Sequence, residues 1–164
     1  NFISNWTAYQ ILSVESMAKR KKMVKLFFSV MEKLAELHSY NMLMAVHSGI
    51  NNSSIYRLRE LFWDDLDERS LEVYDRMSSI LESKNNFPVL RERCDDAFEQ
   101  GFPCSPYCGV YLRDIVFTDD GNPNLVDGLI NFRKLSLLYN IYWGITRFQS
   151  RSYTLDSTQP IYNE

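Results

Sequence analysis

Met23, Leu26, Phe27, Val30, Met31, Leu34, Leu37 and His38 follow one another at spacings of three and four, which puts them on one face of a helix. A stripe of that length has to be buried against other elements, and the rest of the chain is built to supply them. The 164 residues include only 6 Gly and 5 Pro, with long stretches free of both, which favours helices joined by short connections over a sheet built on many turns. An all-α fold follows. With 45% apolar and 24% charged residues, and with no repeat, linker or low-complexity segment, the chain reads as one globular domain.

The long helix should pause at His38-Ser39-Tyr40-Asn41 and resume through Met42-Leu43-Met44-Ala45-Val46, a pentad apolar on all sides that predicts a centrally buried helix. Turn formers from Ser48 to Ser54 come next, followed by Leu58, Leu61 and Phe62 at helical spacing, so Asn51 and Asn52 fall on a loop between two core helices. Leu71, Tyr74, Met77 and Leu81 mark another helix, which ends near Asn85-Asn86-Phe87-Pro88 because proline disfavours helical geometry in the residue before it. A further helix is expected over 89–99. Residues 110–117 carry β-branched and aromatic side chains that suit a strand, while Tyr111, Leu112, Ile115 and Val116 suit a helix. The lack of any visible partner strand favours the helix. Asp119-Asp120-Gly121-Asn122-Pro123 is a strong turn signal, and Ile130, Leu135, Leu138, Tyr142, Ile145 and Phe148 outline a second long amphipathic helix over 129–149. The tail, 151–164, is polar and expected to be irregular.

Several function classes are disfavoured at once. A formal charge of −3 gives no reason to expect binding to nucleic acid or to an anionic membrane. The longest apolar run is the pentad at 42–46, far short of the ~20 residues that cross a bilayer. The start has neither an initiating Met nor the pattern of a signal peptide, and looks cut from something longer. Cys94, Cys104 and Cys108 are too few and odd in number for a disulfide framework, and the Cys104/Cys108 spacing, with no His nearby, is wrong for zinc. The basic run at 19–25 and the acidic run at 64–68 read as solvated faces. Asp119 to Pro123 lacks the later glycine and terminal Glu of a calcium loop. No hydrolase, phosphate-loop or zinc-protease signature occurs, and His38 and His47 read as core or boundary residues.

Four ordered segments then carry a resemblance. The first runs from Leu37 through Asn51-Asn52-Ser53 to Leu58. The second is Pro103-Cys104-Ser105-Pro106-Tyr107-Cys108-Gly109-Val110-Tyr111-Leu112, the third Asp120-Gly121-Asn122-Pro123, and the fourth Leu129-Ile130-Asn131-Phe132-Arg133-Lys134 with Phe148-Gln149 beyond it. Together they resemble the catalytic domain of Ras guanine nucleotide exchange factors (RasGEF), over nearly the whole chain. The resemblance implies an irregular helical domain with a protruding helical hairpin, of which 1–164 form the C-terminal two thirds or so, without its N-terminal helices. It implies that 110–117 are helical and that the hairpin base starts near Ile115.

What the resemblance implies for function is a non-covalent activity, in which the hairpin wedges into a Ras-family small GTPase of Ras, Rap or Ral type and releases GDP. No cofactor and no bound metal are implied. The location implied is cytoplasmic, with recruitment to the inner membrane face through the partner or through other domains left open. Val116 is similar to the apolar residue that the family places at the GTPase Mg²⁺ site, Asp120 to the acid that engages the phosphate-binding loop, and Asn122 to a contact of the displaced switch 1. Thr118 and Asp119 shape the turn. Met44, Asn51, Tyr56, Phe87 and Tyr107 match positions that grip switch 2, and Phe117 and Leu137 complete the expected contact set. One departure is Leu135-Ser136-Leu137 after Lys134, where the family often carries basic residues. It keeps open an exchange-like adaptor that binds a protein without catalysing release.

Overall fold

A computed structural model of the chain describes residues 2–154. Eight helices carry the architecture: α1 (Phe2–Leu12), α2 (Met17–Glu36), α3 (Tyr40–Ile50), α4 (Ser53–Tyr56), α5 (Glu68–Ile80), α6 (Pro88–Glu99), α7 (Cys108–Gly121) and α8 (Phe132–Thr146). Short 3₁₀ turns cover Arg59–Leu61 and Arg147–Ser150, and the strands β1 (Leu125–Val126) and β2 (Leu129–Ile130) form a two-residue antiparallel ribbon. The fold is all-α. Of the irregular tail, residues 151–154 have no regular structure and the remainder lies outside the described residues.

Ser16 starts α2 by accepting a hydrogen bond from the Lys19 amide at 3.2 Å, which satisfies one of the helix's free N–H groups. The expected stripe is corrected in part: Phe27 and Met31 are buried, but Leu26 and Leu37 are exposed, and the face turned to α3 and α5 is Val24, Phe27, Phe28, Met31 and Ala35. Burying a side chain the size of Phe28 stabilises by about 1.5–3 kcal/mol. Within α3, Leu43, Val46 and Ile50 are buried but Met42 is exposed and Met44 half-buried. The pentad is therefore one-sided, because α1 and α2 cover only part of α3, and the expectation of a helix buried all round is corrected. α1 itself has no periodic signal: Ala8 and Ile11 are buried while Phe2, Trp6 and Tyr9 are exposed, so its apolar residues lie on both faces.

Three further departures have plain causes. The segment after α4 is a 3₁₀ turn with Leu61 exposed and Phe62 buried, since the chain must turn to bring Trp63 onto Phe28 and Tyr74. The basic and acidic runs are not independent solvated faces. Lys21 pairs with Asp65 and Lys25 with Asp67, and Asp67 also caps α5 by accepting from the Ser70 amide at 2.9 Å. The last long helix begins at Phe132, not at residue 129, because Asp127 (φ 51°) and Gly128 (φ 80°) turn the chain into the β1/β2 ribbon. An Asp-Gly pair is a strong hairpin signal, and here it decides the local structure.

α7 and α8 form the hairpin. Val110 and Tyr111 root α7 in the core, and from Leu112 onward none of its side chains is buried. The hairpin leaves the body about one turn before Ile115. Its main packing partner is α8, in which only Lys134 is buried and from which Phe148 of the following 3₁₀ turn reaches the core.

Candidate functional site

At the end of the hairpin, Val116 is 55% and Phe117 68% exposed, and Asp120 is exposed as well. Val116 and Asp120 stand four apart, so they share a face of α7. The neighbouring Asp119 is differently employed. Lys134, only 5% exposed, extends its ammonium to Asp119 Oδ1 at 2.6 Å, the Asp119 carbonyl at 3.0 Å and Asn124 Oδ1 at 2.6 Å. That contact staples the start of α8 to the end of α7 and occupies Asp119. Asp120, by contrast, has no ion-pair partner among the described residues. Asn122 closes α7, its Nδ2 donating to the Thr118 carbonyl at 2.8 Å, one of the carbonyls a helix end leaves free.

Phe117, Asn122 and Leu137 come together across α7 and α8, where with Asn86, Asp114 and Asn140 they line a groove of about 540 Å³. A second groove, about 400 Å³, is lined by Met44 and Tyr107 with Phe2, Ile3, Asn41 and Met42. The loop that presents Tyr107 is pinned to the start of α3: Asn41 N donates to the Ser105 carbonyl at 3.1 Å and Ser105 N to that of His38 at 3.0 Å. Phe87 lines neither groove. It is 9% exposed and meets Tyr107 edge-on, with ring centroids 5.9 Å apart. So placed, it is a support for Tyr107 more than a contact surface of its own.

Asn51 and Tyr56 belong to another cluster, built around Arg59, a residue the sequence did not single out. Asn51 Oδ1 accepts from Arg59 Nη2 at 2.5 Å and from the Tyr74 hydroxyl at 2.9 Å, while its Nδ2 donates to the His47 carbonyl at 2.9 Å. The amide is committed to the protein interior. Tyr56 is 64% exposed, with the Arg59 guanidinium 5.2 Å from its ring centroid. Arg59 also lies 4.1 Å from the Trp63 ring centroid, a cation–π arrangement. Its place six residues after the Asn51-Asn52-Ser53 loop is the only sign of this role in the sequence.

The histidines are held neutral. Burial, helped by the charge of Arg59, pushes His47 down to about 4, where its Nε2 shares a 3.1 Å hydrogen bond with Ser78 Oγ. Burial and Arg93 lower His38 as well, and its ring stacks on Phe102. Among the described residues no group of three or more His, Cys, Asp or Glu side chains is placed to hold a metal ion, and no helix is long and apolar enough to cross a membrane. What the hairpin offers is an apolar surface and a free carboxylate. Such a surface can fill space where a cation would sit, and the carboxylate can accept N–H donors.

Comparison with known proteins bears on the same residues. A family model described as the RasGEF domain matches residues 1–136. Ras-specific guanine nucleotide-releasing factor 1 of Mus musculus is 33% identical over 160 residues, covering 95% of this chain and 12% of the relative. Ras guanine nucleotide exchange factor M of Dictyostelium discoideum is 34% identical over 160 residues, covering 96% and 17%. Factor J of the same organism is 35% identical over 163 residues, covering 99% and 19%. The chain thus spans less than a fifth of the length of these relatives. The family match covers every element from α1 to the start of α8, including the α7 surface that carries Val116 and Asp120, and the chain belongs to the RasGEF domain family.

Proposed function

We propose that this domain promotes GDP release from a Ras-family small GTPase of Ras, Rap or Ral type, with the α7/α8 hairpin as the wedge. The observation that carries the reading is the state of the hairpin end: Val116 and Phe117 are exposed and Asp120 has no ion-pair partner among the described residues, while the adjacent Asp119 is tied to Lys134. Nucleotide affinity in a GTPase depends on phosphate contacts and on a Mg²⁺ ion that demands near-octahedral oxygen ligands. Val116 brings a side chain with no ligand atom to the cation site, and Asp120 competes for donors of the phosphate-binding loop. Asn122 meets the displaced switch 1.

Tyr107 and Met44, on their shared groove, grip switch 2 together with the exposed Tyr56 ring. Phe87 and Asn51 hold these residues in place from behind. No general base is needed, because no covalent bond changes. By linkage, a factor that weakens nucleotide binding is itself bound more weakly by the nucleotide-loaded GTPase. An acceleration of about 10⁵ corresponds to lowering the release barrier by roughly 7 kcal/mol, which calls for a broad interface.

Leu135 and Leu137 are exposed where basic residues are frequent in the family, and they favour a second reading, an adaptor that binds without releasing nucleotide. Release of a fluorescent GDP from a panel of Ras, Rap and Ral type GTPases separates the two. Acceleration of at least one supports exchange; binding with no acceleration across the panel, also for a form extended at the N-terminus, supports the adaptor.

A further inference from the structure

Resting on the exchange reading above, we infer that Asn86 and Arg91 are positioning residues: a polar clamp that sets the pitch of α7 and thereby aims Val116 and Asp120. Asn85, Asn86 and Phe87 have φ of 56°, 68° and 57°. Three successive non-glycine residues in the left-handed region are costly, and such strain persists only where surrounding contacts hold it. The contacts are here. Arg91 Nε donates to the Asn86 carbonyl at 3.0 Å and Arg91 Nη2 to Asp114 Oδ2 at 2.5 Å. Asn86 Nδ2 donates to Asp114 Oδ1 at 2.9 Å, and its Oδ1 accepts from Arg113 Nη2. Both oxygens of one α7 carboxylate are therefore held, one from each end of the turn between residues 86 and 91.

The position of this ring gives it leverage. α7 has no buried side chain beyond Tyr111, so Asp114 is where its projecting part is tied to α6. From Asp114 to Gly121 the helix rises about 10 Å, and a tilt of about 10° at the ring moves the end by roughly 2 Å, enough to matter where placement within about 1 Å governs rate. The same turn carries Phe87 against Tyr107, a contact made by the Phe87 ring and not by the Asn86 or Arg91 side chain, so the clamp acts on the wedge and leaves the gripping surface in place.

Two variants loosen the clamp without forcing the backbone to refold. Asn86→Gly tolerates the left-handed φ but loses the side-chain ties, and Arg91→Lys keeps the charge but cannot hold the Asn86 carbonyl and Asp114 together. The full chain, with the exposed Cys108 changed to Ser, carries spin labels at Glu99→Cys on α6 and Leu129→Cys at the hairpin end. Double electron–electron resonance then reads hairpin pitch with no GTPase present. Both variants are expected to broaden the distance distribution about twofold at unchanged helicity, and to lower kcat for GDP release about tenfold with KM for the GTPase within about twofold. An unchanged distribution overturns the clamp whatever the exchange result, as does broadening with unaltered kcat. Broadening alongside a parent chain silent toward every GTPase overturns the exchange reading alone and supports the clamp as the device that sets the pitch.

Discussion

The ring of Tyr107 occupies the space that a side chain at Gly109 would need: a Cβ there would stand 2.5 Å from both Cζ and Oη of Tyr107. The aromatic ring folds back over the first turn of α7, and the glycine is what permits it. Gly109→Ala is expected to swing the ring away, because the clashing atoms are the far end of a side chain that can move. The unfolding midpoint should change by only a few degrees, while the affinity for the GTPase drops about tenfold, approaching the loss caused by Tyr107→Ala. A binding titration of both variants, read beside thermal unfolding, checks the pair.

Asp120 and Tyr107 are expected to fail in different ways. Removing a contact made only as nucleotide leaves lowers kcat, whereas removing a grip that is constant along the reaction raises KM. Asp120→Ala should cut kcat for GDP release by more than about tenfold with little change in KM, and Tyr107→Ala should do the reverse. Steady-state exchange against GTPase concentration gives both numbers, and equal, unchanged release rates would sink the assigned roles.

Asn51 is engaged by Arg59, Tyr74 and the His47 carbonyl, so its truncation should act on stability. Asn51→Ala leaves part-buried donors of Arg59 and Tyr74 without their acceptor, a loss of about 1–3 kcal/mol. Urea unfolding measures it. If exchange also falls, it should fall alongside loosening around Arg59 and Tyr56, seen as faster amide hydrogen exchange in residues 53–63.

His47 predicts a specific acid sensitivity. Burial and Arg59 push its pKa from the ordinary histidine value of 6.5 down to about 4. Below pH 6.5 the unfolded chain takes up a proton that the folded chain refuses, so stability falls as pH drops from about 6.5 to about 4 and levels off beneath that. The full effect is up to about 3 kcal/mol. Asp67 acts in another window. Its carboxyl is held below the usual 3.8, chiefly by Lys25 and then by Ser70, so its contribution is present above that value and is lost only at lower pH. His47→Gln should reduce the fall in unfolding free energy between pH 6.5 and 4 to the part that the likewise lowered His38 contributes, and leave the drop below pH 4.

The sequence by itself determined the helical class and the places where the chemistry of α7 begins and ends. The spacing of Met23, Phe27, Val30, Met31 and Leu34 and the scarcity of Gly and Pro are local facts, enough to specify a helix, while packing moved the buried face onto Val24 and Phe28 and left Leu26 exposed. The motif around Tyr107 and the Asp120-Gly121-Asn122-Pro123 segment marked the family by resemblance, and through it the hairpin; the turn expected from Asp119 onward begins only at Asn122, since α7 continues to Gly121. Tertiary structure alone decided what depends on partners distant in the chain. Lys134 takes up Asp119 and leaves Asp120 free; Arg59 draws Asn51 inward while Tyr56 stays exposed; Phe87 goes under Tyr107 through a left-handed turn that Arg91 and Asp114 secure. α1 was invisible because its apolar residues have no single face, and α3 looked buried all round because a run of apolar residues does not say which side its neighbours will cover. Periodicity reports what one element needs, and only packing reports which of those needs are met.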